Sequence, residues 1–89
     1  MTRMVYAQRF VDDVAQITSD RVYGSLRRTM AAIEAFPRIG SSDVPESVRT
    51  LFGDRVRKAV VKPFDVVYEY DEQDDTVFVY ALIACKRAK

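Results

Sequence analysis

Four cations fall between positions 55 and 62: Arg55, Arg57, Lys58 and Lys62, with no acid among them. Guanidinium and ammonium groups gathered this closely can hold an anion. Lys86, Arg87 and Lys89 form a second basic group. Between the two lies an acidic stretch, with Asp65, Glu69, Asp71, Glu72, Asp74 and Asp75 and no base from 65 to 75. The formal net charge is only +1, so the molecule as a whole draws no particular partner. Segregated charge does mark Arg55, Arg57, Lys58, Lys62, Lys86 and Arg87 as candidate partner-binding residues.

The chain has no histidine and one cysteine, Cys85. That removes the commonest general acid–base group and the commonest metal ligand. A serine or cysteine nucleophile activated by histidine is impossible. Any catalysis must come from Arg, Lys, Tyr, Asp or Glu. No phosphate loop, nucleotide fingerprint or metal-ligand spacing is present, so no cofactor and no metal are expected. Cys85 reads as a small buried hydrophobe. A lone cysteine also excludes an internal disulfide and points to a reducing compartment. With no signal-peptide pattern at the first residues and no apolar run near the ~20 residues a membrane span requires, the expected location is cytoplasmic.

These charged residues sit on elements that can be read from hydrophobic spacing. At 89 residues and 48% hydrophobic content, the chain is expected to be one globular domain spanning 1–89. Three strands are predicted at 55–61, 64–71 and 76–84. Pro63 separates the first two, and Asp71–Asp75 makes a polar hairpin loop. The second strand alternates, with Phe64, Val66, Tyr68 and Tyr70 packed and Asp65, Val67, Glu69 and Asp71 mostly wet. The third is apolar on both faces: Val77, Val79, Ala81 and Ile83 on one, Phe78, Tyr80 and Leu82 on the other. That marks it as central in its sheet, with the basic strand at an edge.

Earlier in the chain, 3–7 reads as an opening strand. A helix is predicted over 8–19, with Phe10, Val14 and Ile17 on one face. A second is predicted over 21–35, carrying Tyr23, Leu26, Met30 and Ile33, with a possible bend at Gly24. The two form a hairpin across one sheet face. After a Gly–Ser loop, Asp43–Glu46 resembles a helix start, with Val48, Leu51 and Phe52 on the apolar side and Gly53 at the end. Helices followed by strands predict an α+β fold: N-terminal strand, two-helix hairpin, short helix, then a three-stranded antiparallel meander.

Three stretches carry a family resemblance: VYAQRF (Val5–Phe10), FPRIGSSDVP (Phe36–Pro45) and VRKAVVKPFDVVYEYDEQDDTVFVYALIACKR (Val56–Arg87). Together they resemble the RelE/ParE toxin superfamily, the toxin halves of type II toxin–antitoxin modules, and most of all its ParE-like, plasmid-stabilisation members. The likeness rests on order and spacing over nearly the whole chain. It implies a small antitoxin that neutralises the toxin. It also implies one of two activities. ParE-like members poison DNA gyrase. RelE-like members are metal-free ribonucleases that cleave mRNA on the ribosome, with basic residues on the scissile phosphate.

The ribonuclease pattern carries over in part. Arg55, Arg57 and Lys58 match its first basic group, Tyr68 is its candidate tyrosine, and Arg87 matches the arginine closing the last strand. The base expected just before the VVY of PFDVVY is Asp65 instead, and a carboxylate there repels a phosphate. The tail carrying a tyrosine or histidine is expected to be missing, because two residues follow Arg87. The resemblance therefore favours a gyrase-directed toxin. A RelE-like endoribonuclease using Arg55, Arg57, Lys58, Tyr68 and Arg87 is the alternative, and a non-toxic interaction module is the second.

Plainer roles stand beside these. Bases on an edge strand deter edge pairing, or pair across to Asp65 and Glu69. Tyr68, Tyr70 and Tyr80 fit packed aromatics with wet hydroxyls.

Overall fold

The computed structural model describes residues 1–84. Cys85, Lys86 and Arg87, singled out above, lie outside the described residues. The elements follow in the expected order: β1 (Arg3–Tyr6), α1 (Gln8–Val14), α2 (Asp20–Ala35), α3 (Glu46–Phe52), β2 (Val56–Val61), β3 (Phe64–Asp71) and β4 (Thr76–Ala84). The sheet order is β1-β4-β3-β2, so the doubly apolar β4 is central and the basic β2 is an edge. β2–β3 and β3–β4 are antiparallel, and β1 joins β4 in parallel.

β1 covers only the first half of β4, pairing Arg3–Tyr6 with Thr76–Val79. Beyond Val79 the backbone of β4 would present open donors. Here α1 takes over: the carboxylate of Asp13 accepts the Leu82 N–H at 3.0 Å. That explains why α1 is shorter than the 8–19 predicted. It ends at Val14, beside the strand edge it covers, and the chain tightens through Gln16 N–H to Asp13 O and Ile17 N–H to Val14 O. Ser19 then caps the next helix rather than closing the first, its Oγ accepting from Val22 N–H at 3.2 Å. α2 runs unbroken through Gly24, so no bend divides it.

The hairpin α1–α2 covers one face of the sheet as expected. Phe10, Val22, Leu26 and Ile33 pack there on Val61, Val66, Tyr68, Val77, Val79 and Leu82. α3 lies against the opposite face, where Val44, Val48 and Phe52 meet Val56, Val67, Tyr80 and Ile83. The predicted faces of β4 need one correction. Val67 pairs with Ala81 but Tyr68 pairs with Val79, leaving Tyr80 as an extra residue. Such a bulge reverses the alternation beyond it. Leu82 thereby joins the helix side with Val77 and Val79, and Ile83 joins the α3 side with Tyr80.

The β3–β4 hairpin closes on Asp75, a non-glycine residue in the left-handed region at φ 49°. Its Oδ1 accepts from Tyr70 Oη at 2.8 Å and from Thr2 Oγ1 at 2.9 Å, tying the start of β1 to the hairpin. These two hydrogen bonds, Tyr70's first, hold the Asp75 carboxyl below the usual range. A folded-state pKa below the unfolded one stabilises the fold above the unfolded value and loses that contribution as pH falls through the folded one. Thermal stability measured from neutral pH into acid should therefore decline less steeply in Asp75→Asn, which keeps the left-handed backbone and an acceptor oxygen, than in the wild type.

Candidate functional site

The pleat decides where the four bases of the 55–62 stretch can act. Arg57 faces the helix side opposite Tyr68, while Lys58 faces the α3 side opposite Val67. Neighbours in sequence are thus on opposite faces. Arg57 is engaged with backbone: its Nη1 donates to Gly40 O at 2.8 Å and to Arg38 O at 3.2 Å. Arg55 forms an ion pair with Glu69 at 3.1 Å. Lys62 is exposed at the turn before Pro63, away from both. The sequence cluster therefore does not converge on one anion.

Tyr68 is fully buried, and its hydroxyl works as a clamp. It donates to Pro37 O at 2.7 Å and accepts from Gly40 N–H at 2.8 Å. Burial raises the phenol pKa, against smaller opposite effects from the Gly40 N–H and Arg57, so the group stays protonated at neutral pH. Alongside, Ser41 and Lys58 exchange backbone hydrogen bonds of 2.9 Å in both directions. Tyr68, Arg57 and this bridge together fasten the 36–45 linker onto the free side of β2. The edge is protected by its own linker as well as by its charges.

On the other face the residues do gather. Tyr80 Oη donates to Glu69 Oε1 at 3.0 Å, next to the Arg55–Glu69 pair, and its ring stacks on Phe52 at 5.7 Å. Burial first, then Glu69, raise the Tyr80 phenol pKa, with Arg55 acting the other way. Nearby, α3, β2, β3 and β4 enclose a hollow of about 530 Å³ whose charged lining is Arg9, Lys58 and Asp65. Arg9 reaches in from α1, its guanidinium 5.4 Å from the centre of the Phe52 ring. Asp65 is 9% exposed, and its Oδ1 is shielded from solvent with no hydrogen-bond partner among the described residues.

This face holds donors, a buried carboxylate and an apolar wall, which suits recognition more than proton transfer. Among the described residues no cluster of His, Cys, Asp or Glu could hold a metal. No helix among them is long and apolar enough to cross a membrane. Sequence reading passed over Arg9; it had Glu69 as a cross-strand partner of the bases, as the Arg55 pair shows, and Tyr80 only as a packed aromatic. Arg9 is distant in sequence, and the bulge that directs Tyr80 and Ile83 to one face leaves no mark in the alternation.

The family model for the ParE toxin of the type II toxin–antitoxin system, parDE, matches residues 4–88. The chain belongs to the ParE toxin family. Among solved structures, this ParE-family chain is similar to the isolated RelE toxin of E. coli, with 14% identity and a TM-score of 0.75, covering 100% of this chain and 89% of that one. It is also similar to a chain of the intact E. coli RelBE toxin–antitoxin complex, with 15% identity and a TM-score of 0.72, covering 98% of this chain and 100% of that one. At such identities the likeness speaks to the fold. No curated protein matches the sequence significantly. The ParE assignment thus rests on the family match, and the RelE likeness on the shared strand–hairpin–meander architecture.

Proposed function

We propose that the chain is a toxin that binds and inhibits a macromolecular target, DNA gyrase in the ParE manner, and that a cognate antitoxin neutralises it. One observation carries the choice of binding over cleavage: three of the residues a ribonuclease would need are committed elsewhere. Arg57 holds the carbonyls of Arg38 and Gly40, Tyr68 is buried with its hydroxyl bonded on both sides, and Arg55 is paired with Glu69. Asp65 lines the same hollow as Lys58, where a phosphate would meet its carboxylate. Membership of a toxin–antitoxin family supports a neutralising partner, and the RelBE complex gives a related fold in such an assembly.

The test is gyrase-dependent supercoiling of plasmid DNA. Purified chain is expected to inhibit it or to accumulate cleaved DNA, and the product of an adjacent reading frame of similar size is expected to restore it. Lys58→Glu is the informative charge reversal for antitoxin binding, because Lys58 is half-buried on the α3 face. It should weaken association and change its salt dependence. Arg57→Glu would also release the linker, so its effect on binding would be mixed with one on folding.

A further inference from the structure

Among the described residues nothing partners the buried oxygen of Asp65, and it belongs to a side chain lining an open hollow. A carboxylate shielded from water without a donor is unfavourable. Its neighbours define what would relieve it. Asp65 pairs with Val60 and Lys58 with Val67, so the two are diagonal neighbours on one sheet face, roughly 7–8 Å apart with their Cβ atoms somewhat closer. Among the described residues they form no ion pair. Exposure orders the charges by depth: Asp65 innermost, Lys58 half-buried, and Arg9 most open, its side chain 52% exposed. Apart from Ser47, the rest of the wall is apolar, with Phe52, Val67 and Ile83 inside and Leu51 70% exposed at α3.

We infer that this hollow is a binding site for a primary carboxamide carried on an apolar body. A cation entering to meet Asp65 would be repelled by Lys58, and less strongly by Arg9, whose guanidinium already pairs with Asp13 at 3.6 Å. An anion entering to meet those bases would be repelled by Asp65. A carboxamide is neutral and has both halves of the required pairing: its N–H donates to Asp65 and its C=O accepts from Lys58 Nζ. The aspartate χ2 is a broad, roughly two-fold torsion, so either oxygen can turn toward the ligand. The apolar body lies on Phe52 and Ile83. Two sources supply this chemistry: an asparagine or glutamine side chain flanked by apolar residues on a partner chain, and a free aromatic carboxamide. The inference stands on the hollow alone and does not depend on gyrase being the target.

The experiment is an NMR titration of the isotope-labelled full chain with three probes on one scaffold: benzamide, benzoate and benzylammonium. Benzamide is expected to shift the signals of Val67, Ile83 and Val48 and to bind about tenfold more tightly than either charged analogue, the scale of one hydrogen bond to a charged group. Asp65→Ala and Lys58→Met, which keeps the aliphatic stem, should each weaken benzamide by a similar factor while the remaining spectrum stays folded. Capped Leu-Gln-Leu peptide against capped Leu-Glu-Leu distinguishes the sources. A glutamine peptide tighter than benzamide identifies a partner side chain, and the reverse identifies a free carboxamide; either supports the site. Tighter binding of benzylammonium or of benzoate, or no shifts in the hollow at millimolar benzamide, overturns the inference. So does a Lys86→Ala, Arg87→Ala double variant that alters the hollow's signals in the unliganded chain, since the chain's own basic residues would then fill it.

Discussion

Replacing Gly40 with alanine is expected to destabilise the fold more than any other single-methyl change in the linker. A Cβ at position 40 would stand 2.5 Å from the Tyr68 hydroxyl, 2.8 Å from its ring and 2.9 Å from the Lys58 carbonyl. None of these can retreat easily. The tyrosine is fully buried, and the carbonyl belongs to the Ser41–Lys58 bridge. Forcing one carbon into a packed site costs about 1–3 kcal/mol, and the Gly40 N–H to Tyr68 bond would be lost as well, adding on the order of 1 kcal/mol. For a domain of this size each kcal/mol lowers Tm by roughly 4–8 °C. Thermal unfolding should therefore show a fall of roughly 10 °C or more, whereas an unchanged Tm would mean that the linker is not seated on Tyr68.

Tyr68→Phe should have an effect at least as large, and it separates a structural tyrosine from a catalytic one. Removing the hydroxyl orphans the Gly40 N–H and the Pro37 carbonyl at once. Each such group left without a partner costs about 1–3 kcal/mol, so a loss of roughly 2–6 kcal/mol is expected. Denaturant unfolding should show a lower midpoint with little change in slope. Whatever toxicity the chain has should fall only in proportion to the folded fraction. A variant that is as stable as the wild type yet inactive would instead place the hydroxyl in chemistry.

Much of this architecture was legible in the sequence. The strand boundaries near Pro63 and the acidic loop, the central place of β4 and the edge position of β2 followed from alternation and turn residues. The site was less legible, for reasons that are physical. Alternation predicts faces only while the pairing stays in register, and the bulge at Tyr80 breaks it. The group Arg55, Arg57, Lys58 looked like one patch because sequence proximity hides the pleat, which sends Arg57 and Lys58 to opposite sides. Tyr68 looked wet at its hydroxyl because its partners, Pro37 and Gly40, lie about thirty residues earlier. Arg9 joins the hollow only because α1 lies along the part of β4 that β1 leaves uncovered. Asp65 was legible only in part: the carboxylate within PFDVVY stands where the resemblance expects a base, but alternation placed Asp65 and Val67 on a mostly wet face that α3 in fact covers.

We propose that the toxin acts by binding and does not cleave RNA. Primer extension on translated mRNA tests it most directly, with the wild type and Arg87→Ala in parallel. Arg87 is the remaining candidate for stabilising a phosphoryl transition state, and loss of such a group reduces turnover by roughly 100-fold or more. The account predicts intact mRNA with both proteins, at concentrations where the wild type inhibits gyrase supercoiling. Specific cleavage by the wild type that disappears in Arg87→Ala would contradict it and establish the ribonuclease.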